Sequence, residues 1–450
     1  MKKFLHIFLL PSLIGLSLGF FFIFSNRGLT VHDEGYILDA AWRFTQGEIP
    51  YRDFFIQYTP GIVFTIGNLF KLTGPSILAG RLFMVLLGGL ISLLLYRVSH
   101  SIIPSLLFLA WGIPQLNFPW PTWFALLFML LSLATNKKPF LSGLFASVTF
   151  LFKQNFGIAA ILAHLLIRPS LFGLILPFLP VVVYFLDHQV LPDAIQTIFG
   201  FNFRYAREGI MATSFPWPNF TSINDIGKTF FYYFPLILIG FYGIKLFHRR
   251  LSEDQTTAFT YLGLFFVSGL RPTTDILHVS LIYPALFPLI SFLKPKYAWI
   301  LFIPVFSLGL AKLYLKPYAG FEAPYLHQTR PITVLGKETI LVDDRASVLP
   351  QVISAINLHT TPNEPIFIYP YAPMLYFLSG HPNATRFPMA TADYLTINQQ
   401  QEIINQLTSV NLVVLQHALK PGKPQIVYDY LVDNFQAVTQ IGDYQLLLRR

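Results

Sequence analysis

The stretch "VHDEGYILDAAWRFTQGEIPYRDFF", residues 31–55, follows directly on an apolar, aromatic-rich segment and carries Asp33, Glu34, Asp39, Arg43, Glu48, Arg52 and Asp53. The whole chain is only 12% charged, where soluble domains average about 25%. Charge is therefore concentrated just past the first hydrophobic run. Within the stretch, Tyr36, Ile37, Ala40, Ala41 and Phe44 recur at helical spacing. That pattern predicts an amphipathic helix lying on a surface.

Composition sets the surroundings of this loop. The 450 residues are 54% hydrophobic and 16% aromatic, with a mean hydropathy of +0.55. These values describe a polytopic membrane protein. The net charge of +9 fits basic cytoplasmic loops rather than nucleic-acid binding. Cysteine is absent, which excludes disulfides, thiolate metal sites and cysteine nucleophiles. The start "MKKFLHIFLLPSLIGLSLGFFFIF" has the length of a bilayer span and reads as an uncleaved first helix.

Further apolar runs lie near 78–97, 101–116, 121–135, 139–153, 155–168, 170–187, 229–247, 257–270, 277–292 and 297–313. The expectation is thus about eleven transmembrane helices within residues 1–313. With the N-terminus inside, the basic connections "YRVSH", "NKKP", "RPS", "HRRLSED" and "KPK" fall inside, as the positive-inside rule requires. The loops 25–77 and 187–228 then fall outside. The run "GIVFTIGNLF" (61–70) is too short to cross and suits a helix at the interface.

From about residue 314 the texture changes. "ETILVDD", "EPIFIYPY", "LVVLQ" and "YQLLLRR" read as strands, alternating with the helical patterns "ASVLPQVISAINLH", "TINQQQEIINQLTSV" and "PQIVYDYLVDNF". Residues 314–450 are therefore expected to form a small extracytoplasmic α/β domain. The sequence as a whole predicts an α-helical integral membrane protein of the cell membrane with a soluble α/β tail.

Asp33 opens the predicted surface helix. A carboxylate there can cap the helix by accepting from its first free N–H groups, with Glu34 well placed in the dipole. It can equally take a proton from an acceptor hydroxyl or amine at the membrane face. The pattern Asp33-Glu34, Tyr36, Ala40-Ala41, Gly47, Pro50 and Pro60, continued by "GPSILAGRLFMVLLGGL" with Gly74 and Arg81-Leu82, resembles the first outer loop of the GT-C superfamily of polytopic glycosyltransferases. It looks most like the branch holding protein O-mannosyltransferases and the lipid A aminoarabinose transferase. The resemblance covers the first 100 residues and extends as architecture to the tail. It implies an inverting transfer of a sugar from a polyprenyl-phosphate donor in the bilayer to an extracytoplasmic lipid, glycan or protein acceptor. By match it makes Asp33 the catalytic residue and Glu34 its supporting acid. It implies no cofactor and generally no divalent metal, and His32 has no second histidine at ligand spacing.

Cations on the outer face are the informative ones, because the positive-inside bias disfavours them. Lys153 in "FLFKQNFG" and Arg271 in "GLRPTTDILH", with His278, are candidates for the donor phosphate. Lys153 can also be a snorkelling helix-end residue, and Arg271 with Asp275 a loop-bracing ion pair. The resemblance's basic residue before the second interfacial helix is replaced here by Gln57, which shifts weight to Lys153 and Arg271. Tyr36, Arg204, Arg207 and Asp275 are candidate substrate-binding residues, the two arginines alternatively forming a solvated face. The partners expected are membrane lipids, a polyprenyl-phosphate sugar and the acceptor. Two other classes share the features: a transporter or flippase of lipid-linked saccharides, and a non-catalytic envelope scaffold. Inverted repeats and broken helices would favour the transporter.

Overall fold

A computed structural model describes residues 2–210, 213–270, 274–316, 322–418 and 425–450. Each apolar run of the sequence is helical. Among the described residues, three helices, Ile77–Ser99, Ile223–Phe247 and Pro295–Leu315, are long and apolar enough to cross a membrane. Other apolar helices are shorter, among them Pro121–Ala134, Pro139–Phe152 and Gln154–Ile167. Prolines at the first helical turn set several of these starts, since a missing N–H costs nothing there. The run at 61–70 is part of the helix Gly61–Thr73, about 20 Å long at 1.5 Å per residue.

The charged loop forms the helix Asp33–Thr45. A tight segment follows, with Gly47 at φ 90° and Tyr51 at φ 73°. Arg43 holds this segment together. Its guanidinium donates to Glu48, to the Asp53 carbonyl and to the Thr385 carbonyl of the tail. Asp53 in turn accepts from the Ile49 N–H at 2.8 Å.

The C-terminal segment holds a hairpin, β1 (Arg330–Val334) with β2 (Glu338–Val342). It also holds a four-stranded sheet of β3 (Phe367–Tyr369), β4 (Leu412–Gln416), β5 (Phe435–Ile441) and β6 (Tyr444–Arg449), in the order β3-β4-β6-β5. β3 and β4 are parallel; the other pairs are antiparallel. Strand β1, the helix Met374–Ser379 and β5 were not visible in the sequence pattern. The helix is six residues of nearly continuous apolarity, too short for a period to show. β5 carries a bulge between Ala437 and Thr439, which breaks the alternation on which a strand reading depends.

The tail docks on the helical part through backbone as well as side chains. Leu341 exchanges 2.8 Å hydrogen bonds with Asn26 and Gly28. Glu338 accepts from the N–H groups of Ile77 and Leu78 and from the Ser76 hydroxyl, so a tail carboxylate caps the helix Ile77–Ser99. The Cβ that Gly35 lacks would sit 2.2 Å from the Met374 nitrogen. The loop helix and the helix Met374–Ser379 therefore meet backbone to backbone.

Candidate functional site

That close packing brings the tail over the start of the loop helix. The Met374 N–H donates to the Val31 carbonyl at 3.1 Å, which aligns the segment before it with Asp33. The Tyr371 hydroxyl then donates to Asp33 Oδ1 at 3.2 Å. His32 stands at the N-cap position with no side-chain capping bond, and Asp33 is the first helical residue. The carboxylate thus faces the tail. The expected capping role gives way to a contact made across 338 residues of sequence.

Asp33 retains part of its accessible surface while protein surrounds it closely. Burial raises its pKa above the ordinary carboxylate value; the nearby charges of His278 and Lys153 and the Tyr371 hydroxyl oppose that rise. Tyrosines enclose the site. The Tyr36 ring lies 6.2 Å from Tyr58 and 6.3 Å from Tyr371, and the Tyr36 hydroxyl accepts from the Gln57 N–H at 2.9 Å. Tyr36 thus packs beside Tyr58 and Tyr371 at this site.

Glu34 is turned the other way. Its two oxygens accept from Arg81 Nε and Nη2, both at 2.7 Å, and neither side chain of the pair is exposed. Arg81 also donates to the carbonyls of Ser25, Arg27 and Gly28. This corrects the expectation of a supporting acid: both Glu34 oxygens are committed to fixing the chain between the first helix and the loop. His32 is buried too, with Nε2 3.2–3.3 Å from both amide atoms of Gln416. Burial lowers its pKa to about 4, so the ring is neutral. Among the described residues no group of three or more His, Asp or Glu side chains could hold a metal ion.

Lys153 occupies the extended break between the helices Pro139–Phe152 and Gln154–Ile167. Its ammonium donates to Thr122 Oγ1 at 2.9 Å and lies 5.2–5.9 Å from the rings of Phe156, Tyr58 and Trp120. It lies within electrostatic reach of Asp33. Beside it, the buried Trp120 Nε1–H has no hydrogen-bond partner among the described residues. His278 joins the same site: its Nδ1 lies 2.8 Å from Asp275 Oδ2, which leaves Nε2 as the outward nitrogen. Asp275 also caps the helix Ile276–Ile282, accepting from the His278 N–H. It is therefore a brace for His278. Arg271 lies outside the described residues.

Arg204 and Arg207 stand apart from this cluster. Arg204 donates to the Tyr394 carbonyl of the tail and pairs with Glu208, so it ties the loop to the tail. Arg207 is exposed and also contacts Glu208, the solvated alternative.

Several residues at the site carried no usable sequence signal. Tyr371 and Gln416 come from the tail, and only the tertiary fold brings them to residues 32 and 33. Glu322, buried within electrostatic reach of Asp33, has its carboxyl pushed up to about 8 by burial. Lys312 did leave a signal, as a cation within an apolar run. It donates to Gln115 Oε1 at 2.7 Å and lies within electrostatic reach of Asp275.

The fold on which this site is built has solved counterparts. The fold is similar to that of ArnT from Cupriavidus metallidurans in the apo state, with a TM-score of 0.52 and 16% identity, covering 99% of this chain and 98% of that one. The structure of ArnT from the same organism bound to undecaprenyl phosphate gives a TM-score of 0.49 at 16% identity, over 97% of each chain. No protein-family model and no curated protein matches the chain.

Proposed function

We propose that the protein is a multi-pass membrane glycosyltransferase with Asp33 as its general base. In this reading it transfers a sugar from a polyprenyl-phosphate donor to an acceptor on the extracytoplasmic side, where the tail lies. The observation that carries it is the meeting of one accessible, cation-flanked carboxylate, Asp33, with Lys153 and Tyr371, supplied by three distant parts of the chain. The loop's resemblance to GT-C enzymes and the ArnT-like fold support the same reading. About eleven spans over residues 1–313 and a separate α/β domain over 314–450 belong to it.

The chemistry needs a proton acceptor and a counter-charge. As the acceptor oxygen attacks the anomeric carbon, its proton passes to the Asp33 carboxylate. The bond from that carbon to the phosphate oxygen breaks, with inversion, and the lipid phosphate leaves carrying added negative charge. Lys153 has ammonium protons beyond the one given to Thr122, and Trp120 Nε1–H is a further donor for that phosphate. A base whose pKa is raised by burial accepts the proton with greater driving force. No other cofactor enters this scheme.

The test is single-turnover transfer from a labelled polyprenyl-phosphate sugar. Asp33→Asn should cut transfer by about 10²–10⁴-fold. Burial disfavours the Asp33 carboxylate, so removing its charge should leave the melting temperature unchanged or raise it. Transfer within threefold of wild type would refute the base role.

A further inference from the structure

A second recess lies along the same loop helix, beyond Asp33. One cavity of about 570 Å³ opens between the Arg43–Asp53 loop and the tail residues Asn383–Arg386. A second of about 310 Å³ lies against the π-helical segment Gln196–Phe201. Asp193 and Arg386 line both, so they form one cleft. Arg43, which lines the near cavity, is ten residues along the helix from Asp33, roughly 15 Å at 1.5 Å per residue.

We propose that this cleft binds the distal part of a neutral glycan whose end is presented to Asp33, so that the acceptor is a saccharide. The inference rests on the transferase reading above and names its acceptor.

Charge argues first. Each of the four arginines lining the cleft is already in an ion pair: Arg43 with Glu48, Arg52 with Asp53, Arg386 with Glu402 and Arg204 with Glu208. The Arg386–Glu402 pair is bidentate, at 2.7 and 3.0 Å. Asp193 adds a carboxylate that makes no hydrogen bond or ion pair among the described residues. A phosphate or sulfate would meet no uncommitted cation here.

The uncommitted groups are of another kind. The Gln196 amide and the Thr197 hydroxyl make no side-chain hydrogen bond among the described residues, and Gln406 Oε1 is buried without a partner. An amide, a hydroxyl and a carboxylate side by side suit sugar hydroxyls, which both donate and accept. Aromatic faces complete the lining. Phe55 and Phe201 meet edge to face at 5.0 Å. Phe201 then lies 6.3 Å from Tyr394, which is within electrostatic reach of Asp33 and Tyr58. An aromatic track therefore joins the cleft to the site, and aromatic walls with a few polar groups are the usual make-up of a small-ligand recess.

A peptide acceptor is the less fitting occupant. Extended peptides are commonly held at a free sheet edge or in an apolar groove. This cleft is walled by the π-helical segment Gln196–Phe201, the helix Ile397–Gln406 and a polar loop.

The test is binding of the full-length detergent-solubilised protein to a printed array of neutral oligosaccharides, their sulfated and phosphorylated counterparts, and unglycosylated peptides. Neutral oligosaccharides should be retained, with binding insensitive to salt. Gln196→Ala combined with Thr197→Ala should weaken the best neutral glycan by tenfold or more while melting stays unchanged. The array reads binding and not transfer, so a failed base role and a failed cleft give separate results. Preference for anionic glycans or for peptides, retention of no neutral glycan, or unchanged binding by the double variant would overturn the proposal.

Discussion

The two sides of the helix Asp33–Thr45 treat adjacent carboxylates differently. Toward the helical part, Glu34 accepts from Arg81 twice at 2.7 Å and is fully buried. Toward the tail, Asp33 accepts one 3.2 Å hydrogen bond and keeps accessible surface. The loop's other charges follow the Glu34 pattern or are muted. Arg43 pairs with Glu48 and Arg52 with Asp53, and burial pushes the Asp39 carboxyl up to about 7. Most of the charge in residues 31–55 thus shapes the loop, and Asp33 is the carboxylate that keeps accessible surface without an ion pair among the described residues. In a charge-poor chain, a dense charged loop is mainly a scaffold that fixes one group.

The largest effect expected from this contrast is on stability. Arg81→Ala leaves Glu34 as an uncompensated buried charge and strips donors from the carbonyls of Ser25, Arg27 and Gly28. Breaking such a pair costs about 3–5 kcal/mol, visible as a lowered melting temperature or loss of folded protein. Arg81→Leu combined with Glu34→Leu should recover only part of that loss, because the three carbonyls remain without their donor. Full recovery would show that the carbonyl contacts are unimportant. If Arg81→Ala melts like wild type, the structural assignment of Glu34 fails.

A smaller loss is expected where the two sides are joined. Gly35→Ala places a methyl 2.2 Å from the Met374 nitrogen and 2.7 Å from its Cα. Backbone cannot yield as a flexible side chain does, so the tail helix must shift. Overpacking of this kind costs about 1–3 kcal/mol, and here it also moves Tyr371 away from Asp33. Tail release by limited proteolysis should increase and transfer should fall. Gly19→Ala is the control, since nothing lies within 4 Å of its added Cβ. Equal proteolysis in the two variants would remove backbone packing as the coupling.

What the sequence disclosed follows the same division. Helices of the apolar part were legible because burial in lipid or core demands long apolar runs, and the observed helix Ile77–Ser99 matches the run at 78–97. Asp33 was legible because its neighbours in the chain form the recognisable pattern. Lys153 stood out as a cation between apolar runs. Glu34 was misread because its partner, Arg81, is 47 residues away, and a sequence motif does not say which way a helix turns its side chains. Arg204, which the sequence offered either as a ligand residue or as part of a solvated face, donates to the Tyr394 carbonyl. Tyr371 and Gln416 were illegible for a simpler reason: only the docking of the tail brings them to the loop.

Tyr371 provides the smallest and sharpest test of the Asp33 side. Tyr371→Phe keeps the ring, and with it the packing on Tyr36 and His32 at 6.3 and 5.4 Å. It removes one hydrogen bond, of the order of 0.5–1.5 kcal/mol, so transfer should fall by a few-fold up to about tenfold. The pH profile separates positioning from packing. Asp33 must be ionised to act as base, and burial holds its pKa above 3.8. Activity is therefore lost as pH falls through that raised value. The Tyr371 hydroxyl favours the ionised form and lowers the pKa. Without it the pKa rises further, and the acidic limb of the transfer rate moves to higher pH. A tyrosine that only packs would leave the limb in place, and one that donates from elsewhere would move the rate without moving the limb. A limb unmoved in Tyr371→Phe would therefore break the link between the tail and the base, even if transfer had slowed.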